Sequence, residues 1–101
     1  MKFVLATVLA LGLAFNGSAF ADAAAGQSTY AAKGCIGCHG PNGKSAVATY
    51  PSLAGKDAAF VKQNLTDFRS GARQSATMNA MAAALTDADI DNLAAYIDTL
   101  K

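Results

Sequence analysis

Cys35-Ile36-Gly37-Cys38-His39 contains both cysteines and the only histidine of this 101-residue chain, within five consecutive positions. Two thiols at that spacing suit a disulfide, a redox dithiol, half of a zinc site or the covalent attachment of a haem. Zinc needs four protein ligands in a structural site, and this segment offers three, with no second C-x-x-C or C-x-x-H elsewhere. A disulfide across two intervening residues constrains the unfolded chain little and leaves His39 without a role. A thioredoxin-like dithiol follows a strand in a βαβ setting, and no strand-like run precedes Cys35. In the haem reading both thiols become thioethers, and the next residue is an imidazole that can ligate iron. The i, i+3, i+4 spacing places all three on one face of a helical turn.

Residues 1–21 read as a cleaved secretory signal and 22–101 as one domain. Met1-Lys2 gives a positive start, Phe3 to Phe15 is apolar and uncharged, and Ala19-Phe20-Ala21 is a small-x-small cleavage site. The apolar run falls short of the roughly 20 residues of a membrane span, so none is expected after cleavage. The segment also inflates the 52% hydrophobic content. Export places the mature chain in the periplasm, where thioether attachment of haem is expected.

From Asp22 onward seven basic side chains balance seven acidic ones, so nucleic-acid binding has no basic footprint. Alanine and glycine abound, tryptophan is absent, and large apolar side chains are few. A domain this small with so thin a core needs a staple, metal or cofactor.

Low β-branched content and the lack of alternation predict an all-α chain of three to four helices. The first spans about Ala23 to Lys33 and ends at Gly34. The second spans Lys56 or Asp57 to Ser70, with Phe60, Val61, Leu65 and Phe68 as its stripe and Gly71 as its stop. The third starts at Thr86 with Asp89 three residues on, a capping box, and Leu85 with Ile90 as a staple. Gly40-Pro41-Asn42-Gly43 is turn chemistry. Ala72 to Ala84 reads as a loop that contains Met78 and Met81.

A six-coordinate haem needs a second axial ligand. With one histidine in the chain it is a methionine or nothing, and residues 22–101 contain only Met78 and Met81. The Thr77–Ala80 stretch is loop-like, whereas Met81 runs towards the packed cap. Each could instead fill a core gap.

AAAGQSTYAAKGCIGCHGPNGKSAV (23–47), YPSLAGKDAAFVKQNLTDFRSGAR (50–73) and TMNAMAAALTDADIDNLAAYI (77–97) together resemble class I c-type cytochromes. The similarity is to the small bacterial periplasmic monohaem type, c-553-like, whose domain is also found duplicated in di-haem relatives. The resemblance implies one covalently bound haem c wrapped by helices, with N- and C-terminal helices crossing. It implies Cys35 and Cys38 as thioether positions and His39 and Met78 as axial ligands, with Met81 as packing. Pro51 matches the proline whose carbonyl holds the axial histidine. Gly26 and Tyr30 match the helix crossing, near Leu93 and Tyr96. Tyr30 precedes Cys35 by five residues rather than the family's four. Tyr50 and Arg69 are weaker candidates for haem-edge or propionate contact; otherwise Tyr50 packs beside Pro51 and Arg69 lies on a solvated helix face.

The implied function is single-electron shuttling by a monomeric carrier, not an enzyme. Its donor and acceptor would be redox proteins such as a membrane quinol-oxidising complex and a terminal oxidase or reductase. A gas-binding or sensory haem protein with a labile methionine, or an electron-entry subunit of an oxidoreductase complex, is the alternative. A peroxidase would require a distal histidine, which the chain lacks.

Overall fold

A computed structural model describes residues 21–101, so the signal reading of 1–21 falls almost wholly outside the described residues. Five α-helices are present there: α1 (Ala23–Ala32), α2 (Cys35–His39), α3 (Ala58–Ser70), α4 (Ala76–Ala83) and α5 (Asp87–Asp98), with a 3-10 turn at Pro41–Gly43. The all-helical expectation holds, with five α-helices where three to four are expected; the eight-residue α4 is the unforeseen one. Ala72 to Ala84 is not a continuous loop: Ser75 caps α4 by accepting from the Met78 N–H at 3.3 Å, and an alanine-rich run propagates it.

Side-chain caps start α1, α4 and α5. The Asp22 carboxylate accepts from the N–H groups of Ala24 and Ala25 at the head of α1. Thr86 and Asp89 form the expected capping box on α5, and the stapling pair Leu85 and Ile90 is buried. Gly71 closes α3 at φ 87°, a left-handed conformation that costs glycine nothing.

The core sits where α1 and α3 both pack on α5. Ile90, Leu93, Ala94, Tyr96 and Ile97 of α5 meet Tyr30 of α1 and Val61 of α3. Tyr30 and Tyr96 stack at 5.4 Å with a 57° tilt, where sequence expects the terminal helices to cross. Gly26 lies under Asn92 and Tyr96, and a Cβ there would stand 2.8 Å from Tyr96 Cβ. The α3–α5 pair is tied at its other end by Asp98, whose carboxylate accepts from the Ala58 N–H at 3.1 Å. These contacts form one wall, and α2, the 40–56 segment and α4 stand around it.

Candidate functional site

One cavity of about 540 Å³ opens beside that wall, within the size range of small-molecule and cofactor sites. The structure brings Cys35, Cys38, His39, Tyr50, Pro51, Met78 and Met81 to its lining. Val61, Leu65, Phe68, Leu85, Leu93 and Ile97 supply apolar surface from α3, α5 and the segment between α4 and α5.

α2 is short because Gly34 and Gly40 bracket it. Gly34 is left-handed at φ 83°, and Gly40 at φ 86° has no room for a Cβ against the Lys44 backbone. The bracket holds both thiols and the imidazole on one turn, as the spacing predicts. Cys35 and Cys38 are unbridged and half-buried. Burial pushes the Cys35 thiol above its ordinary value; its own backbone N–H opposes the shift and neighbouring Cys38 adds to it.

His39 is buried, and its Nδ1 lies 2.7 Å from the Pro51 carbonyl oxygen. A carbonyl only accepts, so Nδ1 carries the proton and donates it. In the neutral ring this leaves Nε2 with the lone pair, the tautomer that a metal-binding imidazole needs. The 40–51 segment is itself pinned: the Tyr30 hydroxyl donates to the Gly40 carbonyl at 2.7 Å, and the Leu53 N–H donates to Gly43 at 2.7 Å.

Met78 and Met81 lie one turn apart on α4, so both reach the cavity. Met78 is half-buried, whereas Met81 is 36% exposed and its methyl carbon stands 3.6 Å from the Cβ position of Gly34. Met81 therefore lies over the thiol-bearing rim rather than in the packed core. Tyr50 is on the lining but 38% exposed.

Arg69 takes no part. Its guanidinium donates to the Leu85 carbonyl at 3.2 Å and to Asp87 at 2.6 Å, which ties α3 to the start of α5. The cations that line the cavity are Lys33, Lys56 and Arg73, with no carboxylate among the lining residues. Lys56 lies 5.2 Å from the Phe60 ring centroid and Arg73 4.9 Å from that of Phe68. Sequence reasoning singled out neither Arg73 nor the Phe60 edge; only the fold brings them round.

The donor set suits a haem. The cavity is largely apolar, with two thiols and an imidazole on one side, two methionine side chains on another helix, and cations suited to propionates. Zinc finds no such fit: among the described residues no cluster of three or more His, Cys, Asp or Glu side chains is arranged to hold a metal ion.

The family model described as Cytochrome c matches residues 23–101. The chain is 41% identical, over 95% of its length, to the thiosulfate dehydrogenase electron acceptor of Stutzerimonas stutzeri, and spans 46% of that protein. It is 37% identical to cytochrome c-554(548) of Halomonas halodenitrificans, covering 74% of this chain and 92% of that one. The structure of cytochrome c4 from Acidithiobacillus ferrooxidans superposes with a TM-score of 0.73 at 31% identity, over 80% of this chain and 51% of that one. The chain thus spans about half the length of the first curated relatives it matches. These relatives are of the c4 and c-554 kinds, so the c-553-like label is narrower than the similarity supports. With C-x-x-C-H at one side of an apolar cavity and an all-helical frame that superposes on a solved cytochrome, the chain belongs to the cytochrome c family, whose covalently attached cofactor is haem c.

Proposed function

We propose that the protein is a periplasmic single-electron carrier, with Cys35 and Cys38 in thioether links to haem c and His39 and Met78 as its axial ligands. The observation that carries the reading is the joint presence of the His39 ring, oriented by Pro51, and the Met78 side chain on the lining of one cavity. When bound, haem supplies a one-electron couple between ferric and ferrous iron, whose potential methionine ligation raises.

The polypeptide's part is positional. Pro51 holds the His39 ring and makes it a better donor through the Nδ1–H bond. Two side-chain ligands leave no position for substrate, which suits a carrier rather than a catalyst. The apolar walls from α3 and α5 exclude water and favour the less charged reduced state. Met81, over the Gly34 rim, is read as packing, and Tyr50 as a contact at the haem edge.

Partners follow from charge. Lys33, Lys56 and Arg73 around an acid-free lining favour a redox protein with an acidic docking face, and attraction of this kind raises association rates. Donor and acceptor would be complexes such as a quinol-oxidising enzyme and a terminal oxidase or reductase. Among the described residues no helix is long and apolar enough to cross a membrane. A second reading, service to one oxidoreductase, is favoured by the 41% identity to an electron acceptor of thiosulfate dehydrogenase.

Absorption spectra of the holoprotein in both redox states, with carbon monoxide added to the reduced form, test the carrier reading. A low-spin spectrum unmoved by carbon monoxide is expected; rapid uptake would replace the carrier with a gas sensor. Met78→Ala should abolish the iron–methionine charge-transfer band, and Met81→Ala should leave it.

A further inference from the structure

Asn79, immediately after Met78, makes three side-chain hydrogen bonds to backbone. Its Nδ2 donates to the Phe68 carbonyl at 2.8 Å and to the Arg73 carbonyl at 2.9 Å. Its Oδ1 accepts from the Ser75 N–H at 2.9 Å. The Asn79 N–H donates back to the Ser75 carbonyl at 2.7 Å, and Ser75 Oγ accepts from the Met78 N–H. Phe68 belongs to the last turn of α3, and its carbonyl also accepts from the capping Gly71 N–H at 3.3 Å. Arg73 and Ser75 lie in the short connection to α4. One planar amide thus closes the C-terminal end of α3, the connecting segment and the N-terminal end of α4 into a single unit.

We propose that Asn79 is the positioning residue for Met78: its amide sets the height and rotation of α4 over the cavity and so keeps the Met78 sulfur in place. The proposal rests on the reading of Met78 as an axial ligand. The Arg73 N–H also ties the connection to α3, donating to the Asp67 carbonyl at 3.1 Å, but it does not reach α4 itself. Only Ala82 of α4 is fully buried, so apolar packing fixes the helix poorly along its axis. The Ser75 cap acts within α4 and does not tie it to α3.

The site also demands this residue type. It needs two donors and one acceptor on a short planar group, which asparagine alone provides. An ionised aspartate would set an oxygen where Nδ2 stands, facing the carbonyls of Phe68 and Arg73, and lose both donated bonds. Leucine has nearly the same shape and makes no hydrogen bond at all.

The test compares N79D and N79L with M78A and T86A as holoproteins. T86A removes a helix cap on α5 and serves as a control for plain destabilisation. Carbon monoxide binding to the reduced protein and the ferric iron–methionine band are read beside the denaturation midpoint. N79D and N79L should speed carbon monoxide uptake about tenfold or more, because the bonds that hold α4 must otherwise break first. They should also weaken the band, while T86A lowers the midpoint and leaves both spectroscopic readouts unchanged. If N79L accumulates poorly, N79S, which keeps one shorter polar group, should give an intermediate acceleration. Rates in N79D and N79S that match T86A, with the band lost in M78A, overturn the role of Asn79 alone. A band that survives in M78A overturns the ligand reading, and the Asn79 role with it.

Discussion

Gly26 of α1 and Asn92 of α5 touch backbone to backbone: a Cβ on Gly26 would stand 2.6 Å from the Asn92 carbonyl carbon. The two terminal helices can approach this closely only because position 26 has no side chain. Tyr30 and Tyr96, one turn along each helix, then stack in the space that remains. Gly26→Ala must push α1 away, so it should cost about 1–3 kcal/mol despite alanine's better helix propensity. Urea denaturation of the holoprotein checks this, and an unchanged midpoint would mean that α1 shifts freely.

Tyr30 links stability to alkaline pH. Its phenol is pushed up to about 12, first by burial and then by Cys35 and Tyr96, with a Gly43 backbone contact opposing. The folded state therefore disfavours the phenolate. The contribution of Tyr30 is complete below its unfolded value near 10 and is lost as pH rises towards 12. Tyr30→Phe should remove that alkaline slope. It should also cost about 0.5–1.5 kcal/mol at neutral pH, because the buried Gly40 carbonyl loses one of its two donors and keeps the Gly43 N–H. Denaturation midpoints from pH 8 to 12 (a range chosen to bracket the shift) measure both effects.

Pro51 acts through its backbone, so its replacement should be mild. Pro51→Ala retains the carbonyl that accepts from His39 and loses only the stiffness of the ring. A loss of about 0.4–1 kcal/mol through the unfolded chain is expected, with the axial-ligand spectrum preserved. Loss of the low-spin spectrum would show that the ring itself, and not the carbonyl, orients the imidazole.

Thr86→Ala removes the hydroxyl that accepts from the Asp89 N–H at 3.0 Å, while the reciprocal bond from Thr86 N–H to Asp89 survives. About 1 kcal/mol should be lost. Thr86→Ser should recover most of it, read by thermal melting.

Much of this frame is legible in the residues because its determinants are local. α5 combines a capping box, a staple and a regular apolar stripe, and each feature requires only neighbours in sequence. α4 was hidden because its residues contrast so little. It is mostly alanine around two methionines, with no polar and apolar faces to set a period, although Ser75 before Ala76 was a readable cap. The C-x-x-C-H turn and the Pro51 contact were accessible through motif and resemblance. Arg73 and Asn79 were not, since their partners lie across a helix end and become neighbours only when α3 and α4 dock. Arg69 failed as a propionate candidate for the same reason in reverse: Asp87, eighteen residues on, claims its guanidinium.

The cavity wall has a consequence for refolding. Val61, Leu65, Phe68, Leu93 and Ile97 face a cavity of about 540 Å³ instead of packing on one another, so without an occupant this apolar wall stays uncovered. The ring is therefore part of the core, and the thioethers keep it on the chain after denaturation. Each molecule recaptures its own missing centre in an intramolecular step, at an effective concentration set by the tether rather than by the solution. Refolding should then proceed at the same rate however dilute the protein.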